Sequence, residues 1–368
     1  MKSEKIKVLM IISKLSIGGA EKVARDIGLY ADKEKYQFDY LVFGDEIGAY
    51  EKELTACGCN IVRFPEPSES FSNYIKNLKS LVEKNRYDVI HAHTMFNIGW
   101  AMLVGKICGV PVRVSHSHSA LLEKRNIKTR VYEALMRFFI LAFSTDIVAC
   151  GVKAGNRLYG KNAFKKRGKL ILNGINTDDF AFDNALRSDM RKKLGIEAAF
   201  VIGHAGHFAP VKNQAFLIEC MPEILKSKPN AVLLLLGDGE EKEKIENKIK
   251  GTSLDGKVIF TGNVTNVGDY LNAMDVFAFP SLYEGTPLSI IEVQSNGLPC
   301  VISNTVPDDV FLTDLICPLP LSQKDAWVGK ICGASRKNPE EYSQLMKETE
   351  FTLSTALGKF YSLYKGGK

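Results

Sequence analysis

Several things are missing from this sequence. Its eight cysteines include no C-x-x-C pair, there is no D-x-D, no complete G-x-G-x-x-G and no apolar run near the length of a membrane span. Each absence closes off a class of function. Cysteines at 57, 59, 108, 150, 220, 300, 317 and 332, without ligand-like histidine spacing, fit neither a zinc site nor a disulfide framework. They read as reduced thiols of a cytosolic chain. The apolar run "IKVLMII" (6–12) carries a lysine and leads straight into "SKLSIGGAEK" with no small-residue cleavage site. It reads as a buried first strand, not as a signal peptide. "MRFFILAF" (136–143) is far shorter than the ~18–20 residues of a spanning helix. Without D-x-D a metal-held diphosphate is not expected. Without the glycine fingerprint and an acidic ribose residue after the first strand, a nicotinamide oxidoreductase is disfavoured.

What is present is an ordinary globular composition, 45% hydrophobic and 24% charged over 368 residues. That length suits two domains and excludes extended disorder. The net charge of +6 conceals an asymmetry. Residues 1–170 carry 28 Lys and Arg against 17 Asp and Glu, a net of +11, whereas residues 171–368 carry 20 against 25, a net of −5. The first half is therefore expected to face something anionic, the alternative being solvated surface lysines.

Short apolar runs alternate with helical patterns through the first half. Strands are expected at 7–13, 38–44, 60–65, 88–93, 110–118 and 146–151, with helices at 20–31 and 72–85. Val23, Ile27 and Tyr30 in one helix, and Tyr74, Ile75, Leu78, Leu81 and Val82 in the other, show the helical period. The pattern restarts in the second half. Strands are expected at 200–206, 231–239, 257–262, 275–281 and 299–303, and helices near 213–227, 240–250, 267–274 and 287–296. Such alternation predicts parallel, doubly wound sheets in two α/β domains. The turn-rich "KLILNGINTDDF" (169–180) marks the boundary. The expected division is 1–172, 173–345 and a C-terminal helix in 346–368 crossing back to the first domain.

The chemistry concentrates where strands end, which is where doubly wound sheets bind ligands. In "PSLYEGTPLSIIE" (280–292), Glu284 and Glu292 flank a Gly-Thr-Pro turn. Pro287 suits a first helical position and Gly285 permits an unusual backbone angle. The free N–H groups of Thr286, Leu288 and Ser289 would then face a phosphate. Helix-start acids favoured by the dipole are the plainer reading of the two glutamates. "GHFAPVKNQ" (206–214) places Lys212, and His207 before it, in the same crevice. The glycines of "LGDGE" (236–240), Gly237 and Gly239, allow a backbone to approach closely. "SIGGAEK" (16–22) sets Gly18 and Gly19 before a helix. "HAHT" (91–94) and "SHSHS" (115–119) hold four of the six histidines. His-x-His at a strand tip turns both imidazoles to one face, but no Cys, Asp or Glu at matching spacing completes a metal sphere. A role in hydrogen bonding to a sugar fits better.

Together these segments, "IGGAEK", "DVIHAH", "VPVRVSHSHS", "ILNGIN", "GHFAPVKN", "LLLLGDGE", "VIFTGNV" and "DVFAFPSLYEGTPLSIIEVQSNGLPCVIS", fall in the order of retaining family-4 glycosyltransferases of the GT-B fold. The chain resembles that family over nearly its whole length, and within it the enzymes of bacterial capsule and exopolysaccharide synthesis. The most specific element is E-x7-E, Glu284 and Glu292. The resemblance implies two Rossmann-like domains facing a cleft, residues 1–172 binding the acceptor and 173–345 the nucleotide sugar. It implies Gly18 and Gly19 at the donor diphosphate and a histidine, His116 or His118, at the donor sugar. Lys212 would hold the diphosphate beside His207, which stands where most members have Arg. Glu284 would bind sugar hydroxyls, with Gly285, Thr286, Pro287 and Leu288 at the phosphates, Glu292 on the ribose, and Asn263, Val264 and Thr265 at the base.

The expected activity is metal-independent sugar transfer, with no cofactor, from a nucleotide sugar, UDP being the expected nucleotide, to a glycan or a polyprenyl-diphosphate-linked acceptor. The expected place is the cytoplasm, with peripheral contact at the inner face of the plasma membrane through the basic first domain. "EKRNIKTRVYEALMRFFILAF" (123–143) is the segment for that contact, and an ordinary helix packed on the sheet is its alternative. No nucleic-acid partner is expected. A nucleotide-sugar 2-epimerase of the same architecture and a non-catalytic sugar-nucleotide-binding subunit are the rival functions.

Overall fold

The computed structural model describes residues 5–119 and 126–367, so residues 123–125 of the basic segment lie outside the described residues. The chain divides into two compact units: Met1–Gly174 with Ser354–Lys368, and Ile175–Leu353.

The first unit is built on seven strands: β1 (Ile6–Ile11), β2 (Tyr36–Phe43), β3 (Asn60–Phe64), β4 (Val89–Ala92), β5 (Val112–Ser117), β6 (Asp146–Ala149) and β7 (Gly168–Leu170). They pair in parallel in the order β3-β2-β1-β4-β5-β6-β7. Because parallel sheets are covered on both faces, the central strands are buried almost throughout, β1 as an apolar run with one lysine and β4 and β5 with histidines among their buried residues. The helices Phe71–Asn85, Ile98–Ile107 and Ile127–Phe143 supply Tyr74, Leu78, Met102, Met136 and Ile140 to one core. The helix Leu353–Tyr364 joins this unit too: Tyr361 stacks on Tyr36 at 5.0 Å, and its hydroxyl donates to the Ile27 carbonyl at 2.9 Å.

Six strands form the second unit: β8 (Phe200–Ala205), β9 (Ala231–Leu236), β10 (Val258–Phe260), β11 (Val276–Phe279), β12 (Cys300–Ser303) and β13 (Ile316–Leu319). Their order is β10-β9-β8-β11-β12-β13, again parallel. The edge strand β13 has no forerunner in the sequence analysis. It is four residues long and contains Pro318, which only an edge strand tolerates. Both sheets reverse direction of winding once, at β1/β4 and at β8/β11, and such switch points open a ligand crevice at the strands' carboxyl ends.

At the opposite edge of the second sheet, Asp275 accepts from Arg187 at 2.5 Å, from Arg191 at 2.7 Å and from the Val201 N–H at 2.8 Å. Arg336 lies in the same network on the Leu271 and Met274 carbonyls, and burial pushes its guanidinium down to about 9. One carboxylate thus holds several cations. Asp275→Asn keeps the shape but removes the countercharge, and should destabilise this unit by about 2–3 kcal/mol, below the full buried-pair loss because the pair keeps some solvent. A urea midpoint unchanged from wild type would refute that role.

Candidate functional site

In the second unit the loops leaving β8 and β11, the two strands at the switch point, are tied together. The Leu282 N–H donates to the Val211 carbonyl at 2.8 Å, and Asn213 Nδ2 donates to the Pro280 carbonyl at 3.3 Å. This brings Lys212 onto Glu284, Nζ to Oε1 at 2.7 Å, with both side chains largely buried. Lys212 also lies over the Phe279 ring, 5.3 Å from its centroid. The residues expected at the diphosphate and at the sugar are therefore partners of one another.

The helix that follows runs Leu288–Ser295, and Pro287 is its N-cap with extended backbone (φ −73°, ψ 106°). Pro287 thus stands one residue before the expected first helical position. Its lack of an N–H costs nothing there either, since the Ncap N–H has no helical acceptor. Gly285 does not use a left-handed angle, contrary to expectation, and a Cβ there would meet nothing within 4 Å. Glu284 stands four residues before the helix, and a helix start favours negative charge. Glu292, half-buried, sits four residues after Leu288 and so on the same helix face.

Three further segments end at this sheet edge. Gly237 (φ 125°) and Gly239 (φ 152°) both need glycine, because a Cβ would lie 2.2 Å from the Gly206 oxygen or 2.5 Å from the Phe208 oxygen. The backbone they admit is the protein's own 206–208 segment. His207 is exposed and pairs with Glu240 at 3.2 Å. Asn263 and Thr265 are exposed and Val264 half-buried, in the loop after β10. His204 is a site residue that no motif in the sequence marks. This residue is fully buried on β8, its Nδ1 donates to the Ala278 carbonyl at 2.9 Å, and its Nε2 has no partner among the described residues. Burial holds its imidazole down at about 4. Its only signal in the sequence is a polar residue inside an apolar strand.

In the first unit, Gly18 caps the helix Gly19–Leu29 with extended backbone, and a Cβ at Gly18 would strike the Glu21 carboxylate at 2.3 Å. An acidic side chain therefore leans over this helix start. A Cβ at Gly19 would meet nothing within 4 Å.

The four histidines at the ends of β4 and β5 form one buried cluster. Tyr364, from the C-terminal helix, has its hydroxyl 2.6 Å from His91 Nδ1; His91 Nε2 is 3.2 Å from His116 Nδ1. His93 Nε2 is 3.0 Å from the Met10 thioether, and His93 Nδ1 is 2.7 Å from His118 Nε2. The thioether assigns the protons of one pair. A thioether only accepts, so His93 carries its proton on Nε2 and accepts at Nδ1 from His118 Nε2–H. The Tyr364 hydroxyl can donate to His91 Nδ1 or accept from it, so the direction of the His91–His116 bond follows the tautomer that His91 holds. Two ring nitrogens remain without partners among the described residues: His116 Nε2 and His118 Nδ1, the latter an acceptor. Burial keeps all four neutral, holding His91 and His118 at about 3 and His93 and His116 well below the usual imidazole range.

His91, His93 and His116 also offer ring nitrogens within 4.8 Å of one another, close enough for a metal ion. The sequence analysis sought a completing Cys, Asp or Glu. The structure brings in imidazoles of the adjacent strand instead, a juxtaposition that spacing along the chain does not reveal.

The profile of Glycosyltransferase Family 4 matches residues 17–179, and that of Glycosyl transferases group 1 matches residues 199–335. A putative glycosyltransferase of Bacillus subtilis, EpsF, is 31% identical, over 99% of this chain and 97% of its own. The Escherichia coli UDP-Gal:alpha-D-GlcNAc-diphosphoundecaprenol alpha-1,3-galactosyltransferase is 31% identical over 62% of each chain. The capsular polysaccharide biosynthesis glycosyltransferase CapH of Staphylococcus aureus is 30% identical over 81% of each. Among solved structures, Anabaena HepE in complex with UDP-glucose superposes with a TM-score of 0.79 at 19% identity, over 98% of this chain and 99% of that one. That likeness concerns the fold, two parallel-sheet α/β units as in GT-B enzymes. The match to EpsF spans both units from end to end, and with it the chain belongs to the family-4, group 1 glycosyltransferases.

Proposed function

We propose that this glycosyltransferase moves a sugar from a UDP-sugar to a hydroxyl of a lipid-diphosphate-linked glycan, with retained anomeric configuration, in the synthesis of a cell-surface polysaccharide. The observation that carries it is the Lys212–Glu284 pair beside a helix start at the β8/β11 switch point. The donor sugar leaves with its bond electrons on the UDP oxygen. Lys212, the Thr286 N–H of the preceding turn and the Leu288 N–H at the helix start answer that growing charge by fixed electrostatics. Glu284 takes sugar hydroxyls and steadies the positive anomeric carbon, while Glu292 holds the ribose and Asn263, Val264 and Thr265 border the base. The acceptor oxygen bonds the anomeric carbon and its proton passes to the departing phosphate. The donor named for the Escherichia coli relative and the ligand held by HepE support UDP; that relative's acceptor supports a lipid-linked glycan, and CapH supports the polysaccharide setting.

In this reading protein groups, not a metal ion, neutralise the diphosphate, and His207, paired with Glu240, adds less charge than the usual arginine would. The enzyme works at the cytoplasmic face of the membrane. The helix Ile127–Phe143 supports this placing: Ile127, Val131, Leu135 and Phe138 are exposed on it, although its other side joins the core. Among the described residues no helix is long and apolar enough to cross a membrane.

Radiolabelled UDP-sugars incubated with and without undecaprenyl-diphosphate-linked sugar test the reading. Label should enter lipid only when that acceptor is present, and EDTA should leave the rate unchanged. Free sugar product without acceptor would point to an epimerase or hydrolase. No turnover of any donor would point to a binding subunit.

A further inference from the structure

The helix Glu51–Ala56 ends in a turn that sets two sulfurs side by side. The Gly58 N–H donates to the Thr55 carbonyl and the Cys59 N–H to the Leu54 carbonyl, each at 3.0 Å. These are the paired bonds of a Schellman cap, which needs a left-handed residue just past the helix, and Gly58 supplies it with φ 88°. Such a residue draws its two neighbours together, and here the neighbours are Cys57 and Cys59, their Sγ atoms 3.6 Å apart. A cation faces both. Lys33 Nζ lies 3.5 Å from Cys57 Sγ and 3.9 Å from Cys59 Sγ, and it donates to the Gly28 carbonyl.

The two thiols are placed differently. Cys57 is half-buried and within reach of small solutes, whereas Cys59 is 4% exposed and burial pushes its thiol up. One sulfur can meet a reagent, and the other stands behind it. Reactive cysteines sit beside a cation and open to solvent, and both conditions hold at Cys57. Packing alone would call for no lysine here. Sulfur is a weak acceptor, so two neutral thiols give an ammonium little, while a thiolate gives it a full countercharge. The turn leads directly into β3, so the pair lies at the amino edge of the first unit's sheet, away from the strands' carboxyl ends. No step of the sugar transfer described above uses it.

We propose that Cys57 and Cys59, with Lys33, form a reversible modification site: a dithiol that a peroxide closes to an intramolecular disulfide and that small thiols reopen. This goes beyond the transferase reading and does not depend on it. Cys57, as the thiolate beside Lys33, attacks one oxygen of hydrogen peroxide. The S–O bond forms, the O–O bond breaks, and the departing hydroxide takes a proton from solvent to leave as water. The Cys59 sulfur then attacks the Cys57 sulfur of this sulfenic acid. The S–S bond forms, the S–O bond breaks, and the second hydroxide leaves as water with the Cys59 proton. Two thiols have lost two electrons, and the peroxide has gained them. A ring closed over a single residue is strained, so its disulfide is oxidising and reopens readily in thiols. In a reducing compartment the pair rests as the dithiol, and its oxidation is transient.

The sequence makes the test direct. Cleavage after Lys52 and Arg63 releases both sulfurs, and no other cysteine, in one tryptic peptide, residues 53–63. The full chain is reduced, freed of reductant, treated with a few equivalents of hydrogen peroxide, then denatured, alkylated, digested and mapped by mass spectrometry. The peptide should escape alkylation and weigh about 2 Da less than its dithiol form. Free thiols in the denatured chain should fall from eight to six, and dithiothreitol should restore them. Cys57→Ser should abolish the bond and leave Cys59 open to alkylation after denaturation. Lys33→Met, with the circular dichroism unchanged, should slow closure about 10-fold. Several results would each overturn the proposal: a peptide that only gains oxygen, a bond from either sulfur to another cysteine or another chain, or failure of dithiothreitol to reverse the change. So would closure in Lys33→Met at the wild-type rate, or no reaction while other cysteines oxidise.

Discussion

Lowering the pH from 7.5 to 5.5 should unfold the first unit while the second is still folded. The cause is the histidine cluster. His91, His93, His116 and His118 are held neutral by burial, with His91 and His118 at about 3, whereas an unfolded histidine titrates near 6.5. The unfolded chain therefore takes up protons first. The stability these groups confer is complete above pH 6.5 and is lost as pH falls from there toward 3. One pH unit below 6.5 each such histidine costs roughly 1–2 kcal/mol, and the four together about 5 kcal/mol, since His118 keeps a partly exposed edge. A loss of that size matches the whole stability of many domains. The second unit contains one comparable residue, His204 at about 4, and should lose far less. Hydrogen exchange at pH 7.5, 6.5 and 5.5 would locate the opening. Equal loss of protection in both units, or none in residues 89–118, would refute the argument.

That cluster also marks the limit of what the sequence discloses. The period of the apolar residues announced nearly every strand, because a parallel strand buried on both faces is mostly apolar, wholly so in β9 and with one lysine in β1. The paired acids at 284 and 292, and Lys212, were legible because glycine, proline and charge stand together where a strand ends. Two kinds of feature were not. The first is pairing across the chain: nothing near His91 predicts Tyr364, 273 residues away, or the Met10 thioether that leaves His118 Nδ1 an acceptor. The second is the partner of a charge. Lys212 and Glu284 each look like a ligand's residue when read alone, and only the meeting of the β8 and β11 loops shows that they neutralise one another.

Lys212→Ala should weaken UDP binding about 10- to 100-fold, the loss of one charge-assisted hydrogen bond or more, and slow transfer by a further ~10²-fold. Glu284→Gln should behave in the opposite way toward UDP. In the free protein the Glu284 carboxylate occupies Lys212 at 2.7 Å. Binding a diphosphate must share that ammonium between two anions, which costs part of the attraction. Glutamine keeps the shape and removes the competing charge, so UDP should bind equally well or more tightly. Transfer should nonetheless fall, because the carboxylate that we propose orients the sugar and faces the developing positive charge is gone. Glu292→Gln, four residues beyond Leu288, should lower UDP affinity whatever sugar the nucleotide carries, the ribose being common to all. Calorimetry with UDP, paired with single-turnover transfer, separates these effects. Unchanged UDP affinity in both Lys212→Ala and Glu292→Gln would sink the donor site. A parallel fall of UDP affinity in Glu284→Gln would show that the glutamate serves the nucleotide and not the sugar. The opposed signs are the strongest discriminator, since a merely structural ion pair would make Lys212→Ala and Glu284→Gln fail together.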